Sequence, residues 1–273
     1  MDRTTADRLH NGVVETILAA TNWLCDMDGV LVRDDAMIEG ADRFLEWLVA
    51  TNRSFLVLTN NSTLTPEQLS KNMSAMGLEV PEEKLWTSAV ATAEFVQTQR
   101  PDGTAFVIGE LSLHQALRDV GYREDAENPD YVVLGETQMI SFDEVATAVQ
   151  LIHRGSRFVA TNPEPTGPSL NGPLPAVGAM AAMIESASGV PPYFVGKPNP
   201  MMIRDALRHL GGHSSNTVLI GDRMETDIRS GIEAGLATVL VLSGVTRRED
   251  VDRFPYGPTR VVNSVVDIID AAQ

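Results

Sequence analysis

The chain has 273 residues, 43% hydrophobic and 21% charged, a globular composition long enough for one large domain or two modest ones. Its formal net charge of −16 argues against nucleic acid or an anionic membrane surface as the main partner, since both require a basic patch. Cys25 is the single cysteine, so no intrachain disulfide can form, and a reducing cytoplasm is the expected compartment. An anionic substrate would need a locally positive or metal-neutralised site.

Residues 1–20 carry Asp2, Arg3, Asp7, Arg8 and Glu15 without a long apolar core, which does not fit a signal peptide. No run approaches the roughly 18 apolar residues of a spanning helix. Short β-branched or apolar runs at 23–25, 55–58, 105–108, 131–134, 158–160, 218–220, 238–242 and 260–262 predict strands. Spaced apolar positions predict helices over 41–50, 66–76, 142–153, 200–210 and 226–234. The alternation implies an α/β fold, a doubly wound, Rossmann-like parallel sheet with helices on both faces. Ligands of such sheets bind at the carboxyl ends of the strands. Residues 99–191, bounded by Arg100-Pro101-Asp102-Gly103 and Gly189-Val190-Pro191-Pro192, read as an inserted α/β domain. The core is then expected over 1–98 and 192–273.

Polar residues fall where the strands end. The run at 23–25 ends in Asp26-Met27-Asp28-Gly29, that at 55–58 in Thr59-Asn60-Asn61, and that at 218–220 in Gly221-Asp222. Two carboxylates two residues apart point the same way at a strand end and repel, which a hard cation with oxygen ligands would relieve. Asp26 is a candidate nucleophile and Asp28 a general acid and base. Thr59 and Asn60 can donate to phosphate oxygens. Lys197, held in Gly196-Lys197-Pro198-Asn199-Pro200, can supply a point charge. Asp222 and Asp227 offer further carboxylates for Mg²⁺. Each motif alone has an ordinary structural explanation, as a turn, a helix cap or a surface lysine. Together and in this order they point to phosphoryl transfer, which depends on positioning and charge neutralisation. His209 and His213 are separated by the helix-breaking Gly211-Gly212, so a zinc site there is not expected.

The four segments Asp26-Met27-Asp28-Gly29-Val30, Leu58-Thr59-Asn60-Asn61-Ser62, Gly196-Lys197-Pro198 and Gly221-Asp222-Arg223-Met224-Glu225-Thr226-Asp227 resemble the motifs of haloacid dehalogenase superfamily phosphatases. The Thr-Asn-Asn and Gly-Asp-Arg-x-x-Thr-Asp forms are similar to the NagD/p-nitrophenylphosphatase-like branch, whose large α/β cap matches the inserted region. The resemblance implies Asp26 as nucleophile and Asp28 as acid/base. It implies Gly29, Thr59, Asn60, Asn61 and Lys197 around the phosphoryl group. It also implies Mg²⁺ held by Asp26, the Asp28 backbone carbonyl and Asp222, with Asp227 nearby. Thr161-Asn162-Pro163-Glu164 resembles a substrate loop that usually ends in Asp, so Thr161, Asn162 and Glu164 are implied substrate contacts. Glu164 is one methylene longer than that Asp, and Arg33-Asp34-Asp35 departs from the usual pattern after the first motif. The implied activity is a phosphatase acting on a small soluble phosphomonoester, with homodimerisation through the cap compatible with the resemblance. A phosphotransferase or mutase using the same aspartyl-phosphate is a second expectation. A silent phospho-ligand sensor is a third, although it would be expected to lack a motif residue.

Overall fold

A computed structural model describes residues 17–167 and 172–272. They fold as two compact units. The first gathers the described residues up to Thr59, then Leu69–Leu85 and Ile203 onward; the second comprises Asn60–Gln68 and Trp86–Met202. In chain order the first unit begins with β1 (Asn22–Asp26), the hairpin β2 (Val32–Arg33) and β3 (Ala36–Met37), α1 (Ala41–Ala50) and β4 (Ser54–Thr59). Helix α2 (Pro66–Ala75) and strand β5 (Leu85–Thr87) follow. The second unit supplies α3 (Ser88–Gln99), β6 (Thr104–Ile108), α4 (Leu111–Asp119), β7 (Arg123–Glu124), β8 (Tyr131–Leu134) and α5 (Phe142–His153). It continues with β9 (Arg157–Ala160), the hairpin β10 (Thr166–Gly167) and β11 (Leu174–Pro175), α6 (Val177–Ser188) and β12 (Tyr193–Phe194). After α7 (Pro200–Leu210) come β13 (Thr217–Gly221), a π-helical turn Met224–Ile228, α8 (Arg229–Glu233), β14 (Ala237–Val241), β15 (Arg260–Val262) and α9 (Val266–Asp270).

The first unit is built on a six-stranded sheet ordered β15-β14-β13-β1-β4-β5. Its pairings from β15 through β4 are parallel. Every residue of β1 and β13 is buried, as expected of strands covered on both faces. Trp23 anchors β1 to α1, meeting Phe44 edge-on at 5.8 Å and Trp47 at 5.5 Å, while its indole N–H donates to the Ala20 carbonyl. Cys25 lies opposite Ile220 and Asp26 opposite Leu58. That register brings Asp26, Thr59 and Asp222 to one end of three neighbouring strands.

The second unit holds a separate five-stranded parallel sheet ordered β12-β9-β8-β6-β7. Ile108, Val132, Leu134 and Phe158 pack against Leu151 and Ile152 of α5 and against Met180 and Ile184 of α6. Ser141 caps α5: its hydroxyl accepts from the Glu144 amide, and the Glu144 carboxylate accepts from the Ser141 amide.

The α/β expectation holds, with parallel sheets flanked by helices. One predicted helix changes form. The segment expected as a helix over 226–234 opens with the wide turn Met224–Ile228 before α8. Ile228 N–H reaches back to the Arg223 carbonyl at 3.1 Å, five residues away, and this extra width turns the Asp227 carboxylate onto the Arg223 amide at 3.1 Å.

Candidate active site

At the carboxyl end of the six-stranded sheet, Asp26, Asp222 and Asp227 are all buried, and one ligand oxygen from each lies within 4.8 Å of the others. Like charges this close in a buried setting repel one another, which disfavours ionising all three together. A hard divalent cation fits this donor set, because it offsets that repulsion with oxygen ligands alone. Three glycines make the approach of the carboxylates possible. A Cβ at Gly29 or Gly244 would collide with the Asp222 carboxylate, and one at Gly221 with that of Asp227. Gly29 also has φ +78°, a conformation that side chains rarely adopt. Val245 N–H donates to Asp222 Oδ2 at 2.7 Å, which fixes the carboxylate's orientation.

The remaining predicted residues of this unit differ in placement. Thr59 is buried at the end of β4. Asp28 is exposed, and its carboxylate is not part of the buried cluster. Its segment is pinned by Gly29 N–H donating to the Val32 carbonyl at 2.8 Å. Asp34 and Asp35, which depart from the usual pattern after the first motif, both take positive φ (51° and 59°) and form the two-residue turn of the β2–β3 hairpin. Arg33 from that hairpin donates to the Ser243 carbonyl at 2.8 Å. Burial, and then the neighbouring Asp26 carboxylate, push the Cys25 thiol far above its ordinary range, so it is an inert core residue.

In the second unit the structure brings Asn60, Thr161, Asn162, Glu164 and Lys197 into one hydrogen-bonded group. Asn60, Thr161, Asn162 and Lys197 are buried, and Glu164 is half-buried. Lys197 N–H donates to Asn60 Oδ1 at 2.9 Å, and Asn60 Nδ2 donates to the Lys197 carbonyl at 3.0 Å and to Glu164 Oε1 at 3.3 Å. The Asn60 carbonyl accepts from Asn162 Nδ2 at 3.0 Å and from the Ser88 hydroxyl at 2.7 Å. Gly196 N–H donates to the Thr161 carbonyl at 2.7 Å. Asn61 turns elsewhere: its Oδ1 accepts from the amides of Thr63 and Leu64, closing the loop before α2.

Sequence reasoning missed several supporting residues. Ser243-Gly244 follows the predicted strand 238–242 directly, as Asp26 and Thr59 follow theirs, and that pattern could have revealed it. Ser62, which ends the second motif, receives the Glu136 amide at 3.0 Å and the Thr161 hydroxyl at 3.3 Å, a role that its place in the motif does not reveal. Burial, and then the Glu164 charge, hold the Glu136 carboxyl above the usual carboxylate range.

Comparisons with known proteins show the family of the chain. Residues 23–123 match a family model described as haloacid dehalogenase-like hydrolase, and residues 194–268 match one described as HAD-hydrolase-like. The dihydroxyacetone phosphatase of Corynebacterium glutamicum is 52% identical over 249 residues, covering 91% of this chain and 90% of that protein. The ribonucleotide monophosphatase NagD of Escherichia coli is 40% identical, covering 90% of this chain and 97% of its own. Among solved structures, NagD superposes with a TM-score of 0.87 at 39% identity, covering 91% of this chain and 98% of that one. A 4-nitrophenylphosphatase from Thermotoga maritima superposes with a TM-score of 0.89 at 32% identity, covering 96% and 99%.

Proposed function

Because the chain belongs to the haloacid dehalogenase-like hydrolase family and is a hydrolase of phosphoric monoesters, we propose that it is a Mg²⁺-dependent phosphatase working through an aspartyl-phosphate. The observation that carries this reading is the buried cluster of Asp26 and Asp222 at adjoining strand ends with Asp227 from the turn that follows. Asp26 would bond to phosphorus as the bond to the leaving oxygen breaks, and Asp28 would protonate that oxygen. Asp28 would then take a proton from the water that attacks phosphorus, releasing inorganic phosphate and restoring the Asp26 carboxylate. The exposed position of Asp28 suits a group that must meet both leaving group and water. Thr59 would donate to the phosphoryl oxygens, and Lys197 would offset their charge. Asp26, Asp222 and the Asp28 carbonyl would hold the cation, with Asp227 beside them; the cation supplies charge neutralisation at the phosphoryl group.

For substrate we favour a three-carbon keto-phosphate, on the 52% identity to a dihydroxyacetone phosphatase, ahead of a ribonucleotide, for which the named relative is 40% identical. A cytoplasmic location fits the single buried cysteine, and among the described residues no helix is long and apolar enough to cross a membrane. Dimerisation through the cap, residues 99–191, belongs to the same reading. The test is hydrolysis of dihydroxyacetone phosphate, ribonucleotides and p-nitrophenyl phosphate with and without Mg²⁺. Asp26→Asn should lower turnover by at least about a thousandfold while the protein stays folded. Wild-type rates in that variant would sink the nucleophile assignment. Phosphate transferred to an added alcohol instead of water would point to a phosphotransferase.

A further inference from the structure

The asparagine of the second motif is fully committed. Lys197 N–H needs an acceptor, so the oxygen of the Asn60 amide must face it; the nitrogen then faces the Lys197 carbonyl and the Glu164 carboxylate. No flipped orientation satisfies all three contacts. The side chain therefore grips the backbone of Lys197 from both sides of its α-carbon. Both of its amide hydrogens are used, leaving none to donate to a ligand.

We propose that Glu164 is a positioning residue, which acts through the Asn60 amide to fix the backbone from which Lys197 reaches. This is a different task from the substrate contact that the resemblance implies for Glu164. It rests on the reading of Lys197 as the cation that offsets phosphoryl charge. Glu164 is itself held on both sides. Its amide donates to Asn162 Oδ1 at 3.1 Å, and its carbonyl accepts from Gly178 N–H at 2.8 Å. A Cβ at Gly178 would collide with the Pro163 carbonyl, so this close approach requires glycine there. Gly196 plays the same part at the other end: a Cβ would lie 2.7 Å from Asn60 Oδ1 and would strike the Thr161 carbonyl. The brace thus ties the loop after β9 to the loop that carries Lys197. It fixes both to Asn60, one peptide bond from Thr59.

The chemistry gives a test by exchange of partners. Asn60→Asp keeps an acceptor for Lys197 N–H but sets its second oxygen against the Lys197 carbonyl and the Glu164 carboxylate. It should lower kcat/KM about 100-fold. Glu164→Gln restores a donor to that oxygen, so N60D/E164Q should recover roughly tenfold of the loss. Glu164→Gln alone keeps an acceptor and loses only its charge, so the cost should be about threefold. That factor should be the same for p-nitrophenyl phosphate and dihydroxyacetone phosphate, and should fall on kcat. Inhibition by inorganic phosphate should weaken in step.

Two kinetic results would overturn the proposal. One is an E164Q effect confined to one substrate or to its KM, which is the mark of direct substrate contact. The other is N60D/E164Q no faster than N60D. Hydrogen exchange of the Lys197 amide provides a readout independent of turnover. It should be protected in the wild type and exposed in Asn60→Ala; equal exchange in both defeats the brace. A wild type that hydrolyses neither substrate would defeat the phosphatase reading while this exchange measurement still judged the brace.

Discussion

The two parallel sheets end in opposite ways. Strands β1 and β13 of the six-stranded sheet run out into Asp26 and Asp222, which with Asp227 form a buried group of like charges. Strands β6 and β8 of the five-stranded sheet run out into Gly109-Glu110 and Gly135-Glu136, and β9 into Thr161-Asn162. There the polar groups find partners within their own unit: the Glu136 amide on Ser62, Asn162 on Asn60, Asn60 on Lys197. The first end concentrates carboxylates and is suited to a cation; the second is cross-linked by hydrogen bonds and suited to hold a shape. Parallel pairing in both sheets does not dictate a common use. What differs is what the strand ends gather: at the first, carboxylates held by backbone amides; at the second, amides and hydroxyls bonded to one another.

The sharpest way to break this contrast is Gly244→Ala. Its methyl would intrude on the Asp222 carboxylate, and because Gly244 presents no reacting group, an activity loss of about 100-fold would report geometry alone. Steady-state rates with circular dichroism as a folding control would measure it. Asp222→Asn should act on stability in two directions. Without metal it removes one of three mutually repelling charges and should raise Tm by several degrees, at roughly 2–4 °C per kcal/mol. With Mg²⁺ in excess the order should reverse, because only the wild type gains binding energy. Differential scanning calorimetry with and without EDTA decides it.

The second unit predicts smaller, metal-independent effects. Ser141→Ala removes the α5 capping box and should cost about 1 kcal/mol, with Mg²⁺ making no difference to the loss. The gentlest probe is Glu136→Gln. A carboxyl whose folded pKa is raised destabilises the fold once it ionises, so its cost is present above that pKa and absent below the unfolded value. The variant should therefore be slightly more stable at pH 8, on the order of 1 °C, with the gain vanishing below about pH 4. A gain that persisted in acid would show a packing effect instead of a charge effect.

Much of the first unit is legible in its amino-acid sequence. Helix α1 (Ala41–Ala50) follows its apolar spacing, with Phe44, Leu45 and Leu48 buried, and β15 (Arg260–Val262) falls on its β-branched run. Asp26 and Asp222 are legible because an apolar run ending at a carboxylate is a local pattern, and Asp227 because it completes the Gly-Asp-Arg-x-x-Thr-Asp motif. Helices α3 and α6 are not. Their sequences, Ser-Ala-Val-Ala-Thr-Ala and Val-Gly-Ala-Met-Ala-Ala, place small residues on every face and leave little periodicity to read. The brace is hidden for another reason. Asn60 and Glu164 are 104 residues apart in the chain, and Asn60 and Lys197 137 apart, so only tertiary folding makes them neighbours.

The division of the chain between units has a practical side for anyone wishing to exchange the second unit between relatives. The second unit is not a single cassette: it is Asn60–Gln68 together with Trp86–Met202. A transplant cut at 99 and 191 would import Thr161, Asn162 and Glu164 but leave Asn60, Ser62, Ser88 and Lys197 with the host. Donor and recipient would then each keep half of one hydrogen-bond lattice. A chimera that carries both segments together keeps every partner of Asn60 from the same parent.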